Sequence, residues 1–139
     1  MVRKHQIGSA KEVEAAFYDA MNRADLDALM ALWADDEEIV CIHPGGPRLI
    51  GHAAIRESWQ LLLEHGGLHI SPTELHETHN LMSSVHTVIE GVTAKTGDPQ
   101  HLIATNVYVK TPKGWRIVLH HVSVAPGPAP VDTRAQVLH

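Results

Sequence analysis

The sequence predicts one α+β domain in which three N-terminal helices pack on one face of a curved antiparallel sheet. Apolar side chains recur at helical spacing as far as residue 64, and from Leu68 onward the spacing changes to the alternation of strands. Helices followed by a run of hairpins are typical of this class. The chain has 139 residues, of which 44% are apolar and 19% charged, so it is long enough for one domain with its own core.

Caps and periodicity define the three helices. Residues 9–12, Ser-Ala-Lys-Glu, form a capping box that predicts the start of the first helix. Asp25 is placed to cap a second helix that ends before the acidic turn 35–38. A third helix is predicted over residues 52–64, and the glycines at 66–67 end it.

Alternation and turn residues define the strands. The β-branched run 39–42 predicts a short strand that enters the Pro/Gly loop 43–47. Three further strands are predicted from their Val, Ile and Thr content, with turns at 96–99 and 111–114; they cover residues 85–95, 102–110 and 115–124. Residues 68–80 predict another strand, which Pro72 kinks or sets at an edge because proline cannot donate to a central ladder.

The ends of the chain are predicted to lie outside this domain. We expect the domain to occupy residues 9–125, after an N-terminal extension at 1–8. Residues 126–139 begin with alternating prolines and predict an extended tail, loosely held or packed on a partner subunit.

Charge and composition exclude several classes of protein. Eleven basic residues against sixteen acidic ones give a formal net charge of -5, which disfavours a nucleic-acid binder. No apolar run is long enough to cross a membrane and no signal peptide is recognisable, so we expect a cytoplasmic protein. The single cysteine, Cys41, lies in an apolar run and is expected to be a buried small hydrophobe.

Histidine is unusually frequent, with twelve in the chain. In a strand, residues three apart or adjacent point to opposite faces, so His76 cannot share a metal ion with His79, nor His120 with His121. We therefore expect neither a metal site nor a cofactor.

Several local phrases resemble the nuclear transport factor 2-like superfamily, which includes ketosteroid isomerases and SnoaL-like polyketide cyclases. The similar phrases are ADLDAL at 24–29, WADD at 33–36, GHAAIRESW at 51–59 and GWRIV at 114–118. The resemblance covers about residues 9 to 125 and implies a cone-shaped fold with a pocket at its wide end. It also implies a homodimer that pairs through the sheets. Because this fold carries many functions, it does not by itself name an activity.

The comparison with ketosteroid isomerase places three candidate residues. The isomerase's basic Asp, which precedes a proline, corresponds to His43 before Pro44, and an imidazole is chemically suited to the same role. Its oxyanion-binding Tyr corresponds to Phe17, which has no hydroxyl. Its second donor corresponds to Asn106, whose amide still donates a hydrogen bond. With all three positions changed, we do not expect steroid isomerisation.

Strand alternation predicts which side chains face the pocket. Asn106 shares a face with Tyr108, and the resemblance places that face inward. On the last strand it places Leu119, His121 and Ser123 inward and His120 outward. We expect the pocket to be lined by Phe17, Trp59, Tyr108, Leu119 and Ser123, although core packing is an equally simple role for the aromatic ones.

The leading hypothesis is a protein that binds a small, largely apolar carbonyl compound in the cone. His43 or His121 would act as acid and base and Asn106 as the polariser, in an isomerisation, cyclisation or dehydration. The alternative is a dimeric module of the same fold that binds a ligand or a partner without catalysis. A third hypothesis is a dimer whose outer-face histidines make it dissociate between pH 7.5 and 5.5.

Overall fold

The computed structural model describes residues 8–93 and 100–125. The predicted turn at 96–99, the extension at 1–7 and the tail at 126–139 lie outside the described residues. Within the described ranges no helix has the length and apolar character that crossing a membrane requires.

The three predicted helices are confirmed, with shorter bounds for the second and third. They are α1 (Ala10–Asn22), α2 (Leu26–Met30) and α3 (His52–Leu62). The Ser9 hydroxyl accepts from the Glu12 backbone N–H at 3.1 Å, as the capping box predicts. The Glu12 carboxylate reaches past Ser9 and accepts from the Gly8 N–H at 3.2 Å. Asp25 caps α2 by accepting from the Ala28 N–H at 3.1 Å.

Six strands form one sheet on which the helices pack. They are β1 (Val40–Ile42), β2 (Arg48–Ile50), β3 (Ile70–His79), β4 (Ser83–Val92), β5 (Gln100–Thr111) and β6 (Gly114–Val124). Their spatial order is β2-β1-β6-β5-β4-β3. All pairs are antiparallel except β1 with β6, which is parallel. Pro72 does lie on an edge strand, whereas β2 was not predicted, because its three residues are too few for a periodic pattern.

A bulge in β6 changes which side chains face the helices. Val107 pairs with Leu119 and the next residue of β5, Tyr108, pairs with Ile117, so Val118 is an extra residue in β6. Such an insertion moves every later side chain to the opposite face. His120 is consequently 2% exposed on the inner face, and His121 is exposed on the outer one.

The inner face of the sheet and the helices enclose one core, and its centre is aromatic. Phe17 of α1 contacts Trp33 and Trp59 edge to face, with ring centroids 6.4 and 5.7 Å apart. Cys41 lies in the same core and is fully buried, as predicted, and burial raises the pKa of its thiol to about 12.

Candidate functional site

A row of directly paired residues crosses the inner face of the sheet. The register aligns Glu77 with His86, His86 with Asn106, Asn106 with His120, and His120 with Cys41. We call these five residues the transverse row. Its three central members are buried, with His86, Asn106 and His120 at most 2% exposed. The sheet therefore presents polar side chains to the helices in the middle of an apolar core.

Glu14 of α1 points down onto this row. Its Oε2 atom lies 2.8 Å from Nδ1 of His86 and accepts hydrogen bonds from the Tyr108 hydroxyl at 2.6 Å and the Asn106 amide at 3.3 Å. Three donors converge on one oxygen, which satisfies a carboxylate that is only 7% exposed. Burial, followed by the charge of Glu14, raises the pKa of Tyr108 and keeps its hydroxyl protonated.

A second carboxyl group, Glu90 of β4, lies beside Tyr18 of α1. The Tyr18 hydroxyl donates to Glu90 Oε2 at 2.5 Å and accepts from the Asn106 amide at 3.2 Å. Burial, aided by the charge of Glu14, raises the pKa of Glu90 to about 7, although the hydrogen bond from Tyr18 opposes the shift. Glu90 therefore holds or releases a proton near neutral pH.

The hydrogen bonds of Asn106 fix its orientation and that of His120. The Asn106 Nδ2 group donates to Glu14 and Tyr18, so its Oδ1 atom is the acceptor for Nδ1 of His120, 2.6 Å away. His120 therefore carries its proton on Nδ1 and a free lone pair on Nε2. Burial, followed by the charges of His43 and His121, lowers the pKa of His120 to about 3. We call these hydrogen-bonded residues the inner network: Glu14, Tyr18, His86, Glu90, Asn106, Tyr108 and His120.

His43 lies next to Trp59 and to Cys41 of the transverse row, whose sulfur is 3.7 Å from its Nε2 atom. Its ring contacts Trp59 edge to face at 4.9 Å, and its Nε2 atom lies 2.9 Å from the Ser58 hydroxyl. Because that hydroxyl donates to the Ile55 carbonyl at 2.7 Å, it accepts from Nε2 of His43, which leaves the lone pair on Nδ1. Burial lowers the pKa of His43.

The structure brings together some of the predicted site residues and separates others. Asn106 faces inward, as predicted. Phe17, Trp59 and Tyr108 are all at most 2% exposed and pack within the core. The inward placement of Leu119, His121 and Ser123 is wrong: Leu119 is half-buried and His121 and Ser123 are exposed on the outer face, because the bulge at Val118 inverts the alternation. His120 takes the inward position instead.

Sequence reasoning missed most of the inner network. Glu14 and Tyr18 are four residues apart and share one stripe of α1, a signal that is present in the sequence but is weak beside the apolar spacing. His86 and Glu90 share a strand face by alternation, but no local pattern shows that the face is the inner one.

Several cavities open at the surface of the described part of the chain. One of about 210 Å³ adjoins the transverse row at the N-terminus of α1, and its lining includes Glu77, Ser84 and Trp115. One of about 500 Å³ lies between α2 and α3, and one of about 360 Å³ lies beside Lys113. No group of three or more His, Cys, Asp or Glu side chains within residues 8–93 and 100–125 has the arrangement of a metal site.

Comparison with known proteins places the chain in a family. A model of the SnoaL-like domain family matches residues 10–127. The F-box protein SKIP8 of Arabidopsis thaliana is 27% identical over 118 residues, which are 81% of this chain and 48% of that protein. The chain thus spans about half the length of the curated relative it matches.

Solved structures show the same fold. A protein of Thiobacillus denitrificans ATCC 25259, provisionally named a calcium/calmodulin-dependent protein kinase type II association domain, is 32% identical with a TM-score of 0.80; the match covers 86% of this chain and 98% of that one. A provisional dehydratase of the NTF2-like family from Streptomyces avermitilis is 29% identical with a TM-score of 0.73, over 83% and 92% of the two chains.

A more distant structure agrees in fold alone. It is a ketosteroid isomerase-like protein of Erwinia carotovora atroseptica SCRI1043, 18% identical with a TM-score of 0.69, and the match covers 85% of this chain and 94% of that one. The observed fold, with three helices packed on a six-stranded sheet, thus agrees with the match of the family model to residues 10–127. The chain belongs to the SnoaL-like domain family of the nuclear transport factor 2-like superfamily.

Proposed function

We propose that this protein binds a small carbonyl compound against the inner network and moves a proton on it, as an isomerase or a dehydratase does. The observation that carries the proposal is the buried Tyr18–Glu90 pair, hydrogen-bonded to the same Asn106 amide as the second carboxylate, Glu14. Burying two carboxyl groups in an apolar core is costly, and such arrangements are concentrated at sites of proton transfer.

The geometry suggests a division of roles. Glu14 removes a proton from the carbon beside the carbonyl group, and the electron pair moves to the carbonyl oxygen, which replaces the Tyr18 oxygen as an acceptor of the Asn106 amide. Return of the proton to another carbon completes an isomerisation. Loss of a hydroxyl group as water, with the proton supplied by Glu90, completes a dehydration. The pKa of Glu90, about 7, suits an acid that works near neutral pH.

Glu90 is a better candidate for the acid than the two histidines predicted from sequence. His121 points away from the inner network, on the outer face of the sheet. His43 packs against the Trp59 ring, and Ser58 holds its Nε2 proton. The provisional dehydratase, 29% identical to this chain, supports the same class of chemistry.

A second candidate function is a dimeric module that binds a partner or a ligand without catalysis. Its specific support is the tight aromatic packing above the transverse row, where Phe17 contacts His120 and Trp59 at centroid distances of 4.9 and 5.7 Å. The relative named as a kinase association domain supports this candidate too.

For either function we propose a homodimer formed through the outer face of the sheet. We define the outer face as Val85, Thr87, Ile103, Thr105, Val107, Leu119, His121 and Ser123, which adjoin one another through the register of β4, β5 and β6. Most of these side chains are aliphatic or small, and they form a broad surface of the kind that pairs with a copy of itself.

A ligand screen with an isotope readout tests the proposal. Ketones, polyketide-like aromatics and acyl compounds are screened by thermal shift, where a ligand at 100 times its Kd adds about 2.7 kcal/mol of stability. Each stabilising compound is then incubated with the protein in D2O, and incorporation of deuterium beside its carbonyl group is followed by mass spectrometry. We expect catalysed incorporation by the wild type and at least a tenfold slower rate for Glu14→Gln, which lacks the base that removes this proton.

The matched control is Glu38→Gln, which changes an exposed carboxylate far from the inner network. It should incorporate deuterium at the wild-type rate. A compound that stabilises the protein without catalysed incorporation supports the non-catalytic module. If no compound of the three classes stabilises the wild type, the carbonyl-binding proposal is wrong.

A further inference from the structure

We propose that Glu77 and His86 form a proton-exchange path that connects the buried Glu14 carboxylate with solvent, and that Glu90 lies outside this path. The path is a property of the folded chain without any ligand. Its use, which is to exchange the protons of His86 and Glu14 with those of water between turnovers, rests on the proposed function.

The imidazole of His86 bridges two carboxylates on opposite sides. Its Nδ1 atom lies 2.8 Å from Oε2 of Glu14, and its Nε2 atom lies 3.2 Å from Oε2 of Glu77. The His86 ring is fully buried. Within the described chain its Nε2 atom makes no hydrogen bond of good geometry, although the Glu77 carboxylate beside it can accept one. Nε2 is thus a buried position where a proton is readily bound and passed on.

The outer end of the path opens to solvent. The Glu77 side chain is 30% exposed and lines the cavity of about 210 Å³ at the N-terminus of α1. Lys11 Nζ lies 3.2 Å from Glu77 Oε1, the oxygen that does not face His86. This contact turns Oε2 toward the ring while water reaches the carboxyl group from the cavity.

The transfer along the path is balanced in protons and needs no other reactant. A proton that Glu77 takes from water passes to Nε2 of His86, and the proton on Nδ1 passes to Oε2 of Glu14. The reverse sequence removes a proton from Glu14 and delivers it to water through Glu77. The groups that face His86 are Glu14 from α1, Glu77 from β3 and Tyr108 from β5, whose ring centroid is 4.9 Å away.

Asn106 separates the second carboxyl group from this path. Its amide nitrogen lies 3.3 Å from Glu14 Oε2 and 3.2 Å from the Tyr18 oxygen, so it donates to both sides. An amide N–H donates hydrogen bonds but does not take up and release protons near neutral pH. A proton on Glu14 thus exchanges with solvent along the path, whereas the proton of the Tyr18–Glu90 pair does not use this path.

Exchange of the His86 side-chain proton with water tests the path. In the protein labelled with ¹⁵N-histidine, two-bond ¹H–¹⁵N spectra identify the tautomer, and the line width of the Nδ1–H signal measures the exchange rate. We expect the Nδ1–H tautomer of His86 in the wild type and exchange at least tenfold slower in Glu77→Gln, which keeps the shape of the side chain but carries no proton. A signal that is broadened beyond detection in the wild type and appears in the variant gives the same support.

Two controls make the result specific. His79→Gln alters the same cavity and leaves Glu77 in place, so the exchange of His86 should not change. The Nδ1–H of His120, bound to Asn106, serves as an internal reference in every spectrum. The proposal is wrong if His86 carries its proton on Nε2, or if its signal exchanges at the same rate in the wild type and in Glu77→Gln or is absent from both. It is also wrong if His79→Gln slows the exchange as much as Glu77→Gln does. Because no ligand is present, this outcome is independent of the ligand screen.

Discussion

At the scale of single residues, Glu90 shows how an acidic side chain is kept neutral inside a protein. It is 3% exposed, and it accepts a hydrogen bond from the Tyr18 hydroxyl. Burial penalises the ionised form, so its pKa rises from the ordinary 4.5 to about 7. Glu14 is equally buried but receives three donors, so the two carboxyl groups of one network differ in their surroundings. Such a difference separates an acid from a base.

The raised pKa of Glu90 predicts how stability depends on pH. Between pH 4.5 and 7 the folded state holds a proton that the unfolded chain releases, so this contribution to the free energy of unfolding is lost as the pH rises. In Glu90→Gln the contribution is absent. Relative to the wild type, the variant should therefore gain about 2 kcal/mol on going from pH 5 to pH 7.5, measured by urea unfolding.

The control for this measurement is Glu38→Gln, at an exposed position. Its free energy of unfolding should differ from that of the wild type by the same amount at both pH values. Unfolding curves of Glu90→Gln that run parallel to those of the wild type at both pH values would contradict a neutral, buried Glu90.

At the scale of elements, the junction between α3 and β3 depends on a close backbone contact. Asn22, at the end of α1, donates to the Ile70 carbonyl and accepts from the Ile70 N–H, both at 2.7 Å. Gly67 passes over the same residue, and a Cβ atom at Gly67 would lie 1.8 Å from the Asn22 carbonyl oxygen. The sequence predicts only that this glycine ends a helix. In the fold, its lack of a side chain lets the chain pass close to Asn22, which hydrogen-bonds Ile70, the first residue of β3.

We predict that Gly67→Ala destabilises the fold by about 1 to 3 kcal/mol, because the Asn22 backbone must move to admit the methyl group. Chemical denaturation measures the effect. Gly8→Ala is the matched control: its Cβ would lie 3.9 Å from the Glu12 carboxylate, an ordinary contact, so the change should stay within about 0.5 kcal/mol. An equally small effect at Gly67 would show that the contact is not close in solution.

At the scale of the whole molecule, the two faces of the sheet have different chemistry. The inner face carries the transverse row beneath the helices. The outer face carries mainly Val, Ile, Thr and Leu side chains, and none of the three helices within the described residues packs on it. Pairing of two outer faces would cover this surface and leave the cavity beside Glu77 open. Both proposed functions are compatible with that arrangement.

The proposed dimer predicts the effect of a charge at the centre of the outer face. Thr105 lies between Thr87 and His121, and Thr105→Arg would bring two guanidinium groups together across the pair. We expect a dimer for the wild type and a monomer for the variant in sedimentation velocity. Leu61→Arg, at a 64% exposed position of α3, should leave the dimer intact. A monomeric wild type or a dimeric Thr105→Arg protein rules out this interface. Sedimentation velocity of the wild type at pH 7.5 and at pH 5.5 tests whether protonation of outer-face histidines dissociates the dimer.

The sequence by itself determined the order of the elements other than β2, the caps at Ser9 and Asp25, and which residues of β5 share a face with Asn106. Each of these follows from contacts within a few residues, because periodicity and capping are local. That this face of β5 points inward came from the resemblance to the superfamily. The same local reasoning failed beyond Val118, since a bulge is decided by the partner strand and leaves no mark on the alternation of its own strand.

Only the tertiary structure decided the composition of the site. The hydrogen bonds of Glu14 and Tyr18 to the sheet join residues between 72 and 94 positions apart in the chain. The register of four strand pairs then sets Glu77, His86, Asn106, His120 and Cys41 side by side. Register is a property of the assembled sheet, and it brings His120 rather than His121 to the inner network. In the sequence Glu14 and Glu90 resemble surface residues of a helix and a strand, but in the fold both carboxyl groups are buried in that network.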